Sequence, residues 1–170
     1  RVPATVAGAV LTSAVSLAVI YWPDRDTSTP TMAIAPAAYQ EYVVGRYHLS
    51  KQNEDDLALA IGHFEQAAKI EPNYAAAYAA LSEAWWARGI WGEQTLGVVE
   101  SASRAAAQKA LASNPGLVEA RVSLGRIRYT YDWDWAGAEA DFRQALAIDP
   151  DNRDGHYTYA MLLMGLGRLA

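Results

Sequence analysis

Apolar residues recur at helical spacing through most of this chain, and prolines interrupt them at intervals. "AIGHFEQAAKIEPNYAAAYAALSEAWW", Ala60 to Trp86, reads as two helices with Pro72 between them. In the second, Tyr78, Leu81, Ser82 and Trp85 fall at i, i+3, i+4 and i+7, which is one face of a helix. The same frame holds Arg121, Leu124, Gly125 and Arg128, and again His156, Tyr159, Ala160 and Leu163. Proline has no amide hydrogen, its ring obstructs a continuing helix, and it disfavours the α conformation at the residue before it, here Glu71. Asn73 and Asn114 suit such junctions, because short polar side chains bond nearby backbone groups. The pattern predicts short antiparallel helices hinged at prolines.

One stretch breaks the pattern. "VPATVAGAVLTSAVSLAVIYW", Val2 to Trp22, carries no charge, and about 20 apolar residues span a bilayer core of roughly 30 Å. Tyr21 and Trp22 sit at one end, where amphipathic rings suit the headgroup region, and Arg1 flanks the other. Residues 1–22 are therefore expected to form a single-pass membrane anchor. A cleaved secretory signal and a buried soluble helix are the competing readings; "AIA" at Ala33 to Ala35 mimics a cleavage site but lies far downstream, with Pro36 after it. Residues 23–37, with "TSTP" inside them, read as a linker. Arg1 favours an N-terminus inside and the rest of the chain outside the cytoplasm. A chain that starts with arginine also reads as a fragment or a processed product.

Compared with itself, the chain repeats. "FEQAAKIEPN" (Phe64 to Asn73) matches "FRQALAIDPDN" (Phe142 to Asn152), and "AAAQKALASNPG" (Ala105 to Gly116) lies between them. Pro72, Pro115 and Pro150 are spaced by 43 and 35 residues; "GIWGEQTLG" at Gly89 to Gly97 accounts for the longer interval. Gly45, Ser82, Gly125 and Ala160 recur once per unit, where only a small side chain lets a neighbouring helix close in. The motif resembles the tetratricopeptide repeat: Ala60, Phe64, Ala67 and Pro72 fit its second helix, as do Ala138, Phe142, Ala145 and Pro150. Ala107 departs from it, standing where a large aromatic is expected, and Arg121 and Arg128 stand where apolar or aromatic residues are expected.

The resemblance implies an all-α, right-handed α-solenoid of antiparallel helix pairs over residues 38–170, about three and a half units, preceded by one N-terminal hydrophobic helix. The fourth unit holds only its first helix, so further repeats, a partner or a second copy of the chain are expected to cover that end. It implies too that the first helices of successive units line a concave groove that binds a protein or peptide segment. Carried over, the groove face is Tyr42 and Arg46, then Glu83 and Trp86, then Val122, Arg126 and Tyr129, then Tyr157 and Met161. The lysine and asparagine pattern with which some members clamp a C-terminal carboxylate is missing. The wording of the repeats also resembles the repeat region of bacterial membrane-bound transcriptional regulators and adenylyl cyclases. That implies a sensory or assembly arm of a signalling protein; the non-catalytic part of a larger enzyme and an envelope assembly factor are the alternatives.

Composition narrows the chemistry further. The 170 residues carry a formal net charge of −5, which argues against a nucleic-acid partner, since phosphate binding needs clustered Lys and Arg. Without cysteine there is no thiolate nucleophile, disulfide or Cys-rich zinc site. His48, His63 and His156 fall in predicted helices, none at metal-ligand spacing from another. "NEDDL" at Asn53 to Leu57 lacks the central glycine of a calcium loop and reads as a helix cap with acidic residues at the positive end of the dipole. In "YDWDWAGAEADF", Asp134 is expected to cap a helix while Trp133 and Trp135 pack around the turn. No catalytic, cofactor or metal residue is assigned, and the expected activity is non-enzymatic.

Overall fold

The computed structural model describes residues 34–91 and 94–168. The anchor expected at residues 2–22, and all of the linker up to residue 33, lie outside the described residues. Among those described, no helix is long and apolar enough to cross a membrane.

Among the described residues, seven α-helices follow one another: α1 (Pro36–Leu49), α2 (Glu54–Ile70), α3 (Ala75–Trp91), α4 (Leu96–Ser113), α5 (Val118–Ile127), α6 (Trp135–Ile148) and α7 (Arg153–Gly165). A single π-helical turn, Arg128–Asp132, prolongs α5. Each helix packs on the next, and the first helices α1, α3, α5 and α7 also meet in series. The described residues contain no strand.

The proline junctions have one geometry used three times. Glu71, Asn114 and Asp149, each just before a proline, leave helical space at φ/ψ −127/91, −145/98 and −130/92 degrees. That is the extended region to which a following proline confines them. Helix starts are marked by side chains: Asn53 accepts from the Asp56 amide, Asp134 from that of Gly137 and Asn152 from that of Gly155. "NEDDL" is thus a cap, with Glu54, Asp55 and Asp56 in the first turn of α2.

The small residues of the repeat are points of closest approach. A Cβ added to Gly45 would lie 2.6 Å from Phe64 Cε1, and one added to Gly125 would lie 2.5 Å from Phe142 Cε1. Both phenylalanines are fully buried. In the middle pair α3/α4 there is no such ring. Buried Ser82 and Ser103 meet instead, Ser103 Oγ donating to the Ser82 carbonyl at 2.9 Å, with Ala107 fully buried on α4. The extra residues of this unit lengthen the hairpin rather than loop out: α3 runs to Trp91 and α4 starts at Leu96. Val99 seats against Gly89, where an added Cβ would lie 2.7 Å away.

Arg121 and Arg128, unexpected in an apolar frame, converge on one buried carboxylate. Arg128 Nη1 donates to Asp141 Oδ2 at 2.7 Å, and Arg121 Nη1 stands 3.8 Å from Asp141 Oδ1. Burial pushes the Asp141 carboxyl above the usual carboxylate range, against the pull of both guanidiniums. On α7, Ala160 is exposed, and α7 packs chiefly on α5 and α6.

Candidate functional site

The first helices bring their groove-frame residues to two adjoining cavities. The smaller, about 160 Å³, is lined by Tyr42 and Arg46 of α1, Glu83 of α3 and Arg126 of α5. The larger, about 450 Å³, is lined by Trp86 of α3, Tyr129 of the π turn, and Tyr157 and Met161 of α7. Glu83, Arg126 and Asp154 belong to both walls. Val122 does not join them: it is 1% exposed, packed with Phe142 and Leu162 in the core of the third pair. It lies one turn before Arg126 and turns inward because the α5/α6 interface needs an apolar residue there.

The groove's arginines are engaged within the protein. Arg46 Nη1 donates to Glu83 Oε2 at 2.9 Å, joining α1 to α3. Arg126 Nη2 donates to Asp154 Oδ2 at 2.5 Å, joining α5 to α7, and its guanidinium lies 4.4 Å from the Trp86 ring centroid. Asp154 has no marker in the sequence beyond standing in the first turn of a helix. Its role depends on α7 lying beside α5, 28 residues apart in the pair.

Two donors at this point lack acceptors among the described residues: Trp86 Nε1 and Arg126 Nε are both buried and unpartnered. An unmade hydrogen bond of this kind costs about 1–3 kcal/mol. The aromatic residues divide by exposure. Tyr157 is 64% exposed, Trp86 and Tyr129 are half-buried, and Tyr42 packs on Phe64 and Tyr74 at 5.9 and 5.3 Å between ring centroids. Burial raises the Tyr42 hydroxyl and pushes that of Tyr74 up to about 12, so neither ionises near neutral pH.

Other chemistry-bearing side chains lie away from the groove. His48 and His63, distant in sequence, stack across α1 and α2 at 5.5 Å, each ring donating to a carboxylate, Asp56 at 2.6 Å and Glu41 at 2.7 Å. This pair was invisible to local spacing, because it forms only when the hairpin closes. The His48 bond, with a second from Asn53, lowers the Asp56 carboxyl. His156 bonds the Pro150 carbonyl at 2.7 Å. Among the described residues, no group of three or more His, Asp or Glu side chains could hold a metal ion. Asp134 caps α6 as expected, but Trp133 and Trp135 do not bury: they are 73% and 43% exposed, 6.4 Å from each other. The π turn swings Trp133 outward, into the left-handed region at φ 56°.

No protein-family model matches the chain, and no curated protein matches it. Solved structures do. The chain is similar to the Arabidopsis OM64 TPR domain at 19% identity and a TM-score of 0.61, over 76% of this chain and 96% of that one. It is similar to a thermophilic TPR protein of Thermus thermophilus at 22% identity and 0.68, over 77% and 66% of the two chains. A third likeness is to the first TPR of Spaghetti (RPAP3), solved with the HSP90 peptide SRMEEVD, at 14% identity and 0.59, over 77% and 94%. The helix pairs from Pro36 to Gly165 have the tetratricopeptide-repeat fold.

Proposed function

We propose that the chain is a non-enzymatic interaction module whose groove holds a protein or peptide segment, tethered to a membrane through residues 2–22. The observation that carries the groove is the convergence of Tyr42, Arg46, Glu83, Trp86, Arg126, Tyr129, Tyr157 and Met161, from four successive first helices and the π turn that prolongs α5, on two adjoining cavities. Trp, Tyr and Arg are the residues that most often dominate binding energy. Structures of the same fold hold peptides: the first TPR of RPAP3 is bound to an HSP90 peptide and the second to an HSP70 peptide. The tether is supported by the length and lack of charge of residues 2–22. The resemblance to membrane-bound bacterial regulators supports reading this part as the sensory or assembly arm of such a protein.

A photo-crosslinking residue placed at Tyr157 tests the groove, with one at Lys109 on α4, which lines neither cavity, as the control. Adducts should form at position 157 and fall at least about fivefold on Trp86→Ala, with helicity unchanged, as expected when a hot-spot side chain worth about 1 kcal/mol or more is removed. Equal adducts from both positions, or indifference to Trp86→Ala, would reject the groove. Resistance of the chain to alkaline carbonate extraction from membranes, lost when residues 2–22 are deleted, tests the tether.

A further inference from the structure

We infer that the groove accepts an extended segment that is apolar and neutral or basic, and refuses acidic tails. This rests on the groove reading and adds the chemistry of the ligand. The cavity walls carry two cations, Arg46 and Arg126, against three carboxylates, Glu83, Glu119 and Asp154. Both cations are already neutralised in the protein, by Glu83 and by Asp154. A ligand carboxylate would therefore meet no unpaired arginine on the cavity walls and one excess negative charge, the exposed Glu119.

Arg126 is the least able to change partner. It is 6% exposed, pinned between Asp154 and the Trp86 ring. Trp86 Nε1 and Arg126 Nε are buried, so neither offers a free donor that an incoming carboxylate could use. Beside them the larger cavity offers apolar surface at Ile90, Tyr129, Tyr157 and Met161. Its volume of about 450 Å³ lies within the usual range for ligand pockets of roughly 300–1,000 Å³. Charge and shape together fit apolar side chains hung from a neutral backbone.

The test is selection from a synthetic mixture of random nonapeptides with free C-termini, captured on the immobilised chain and identified by mass spectrometry. Captured peptides should be enriched in apolar residues, with zero or positive net charge. Tyr157→Ala, at an exposed position, should reduce their capture about tenfold, and Asp154→Asn, which releases Arg126, should raise capture of acidic peptides about tenfold. Enrichment of acidic peptides by the unaltered chain overturns this inference and leaves the groove standing. No effect of Asp154→Asn on acidic peptides overturns the claim that Asp154 excludes them. No enrichment at all, or enrichment indifferent to Tyr157→Ala, removes the groove reading and this inference with it.

Discussion

Two glycines in helices of the same fold should respond to the same substitution with opposite signs. Gly125 has Phe142 Cε1 at 2.5 Å from the position of an added Cβ, whereas Gly62, exposed on α2, has nothing within 4 Å. Gly125→Ala must push a fully buried ring in a packed interior, at about 1–3 kcal/mol. Gly62→Ala removes only the backbone freedom of the unfolded glycine and should stabilise by about 0.5–1 kcal/mol. Urea denaturation of the two variants checks both, and a destabilising Gly62→Ala or a silent Gly125→Ala would contradict the packing described. Gly125 was legible in the sequence because it recurs in frame with Gly45 and Ser82. Asp141 was not, because its role requires two arginines that the repeat pattern assigned to apolar positions.

Among elements, the α1/α2 hairpin and the α5/α6 pair carry carboxylates displaced in opposite directions. Asp56 is lowered from 3.8 by its bonds from His48 and Asn53, so its contribution is present above the unfolded value and is lost as pH falls through the folded one. Asp141 is raised from 3.8 by burial, so its contribution is full below the unfolded value and is lost as pH rises through the folded one. Urea midpoints measured between about pH 2 and pH 6 should therefore fall less steeply at the acid end in Asp56→Asn. In Asp141→Asn they should lose a component that declines with rising pH just above the ordinary aspartate range. The same direction of change in both variants would overturn the assignment. Helix pairing was legible because Pro72, Pro115 and Pro150 punctuate a 3.6-residue period. The π turn was not: "RYTYD" carries no glycine or proline, and five residues are too few for a period to be told from its neighbour's. The paired arginines of the groove were likewise hidden, since Arg126 finds Asp154 only through the lateral packing of α5 and α7.

At the scale of the whole array, stability follows neighbours, because each unit of a solenoid rests only on those beside it. α3 packs on α1, α2, α4 and α5, while α7 packs on α5 and α6. α7 also leaves Tyr157 and Met164 64% and 56% exposed, and its fully buried anchor in the core is Leu162, beside Val122 and Phe142, with Tyr159 packed at the margin. Local opening of α7 should therefore cost less than opening α3, and its amides should exchange faster with deuterium by at least about tenfold, the equivalent of 1.4 kcal/mol. Leu162→Ala, which forfeits about 2–5 kcal/mol at a site that cannot fully collapse, should release α7 and leave protection of α1 to α4 unchanged. The consequence reaches the groove, because α7 supplies Asp154, Tyr157 and Met161 to its walls. A peptide bound there holds α7 in place, so occupancy should slow exchange in α7 more than in α2, which lines neither cavity. If α7 instead exchanged at the rate of α3, and Leu162→Ala lowered protection everywhere, the described helices would open as one cooperative body, and half of the groove could not form or dissolve independently of the rest.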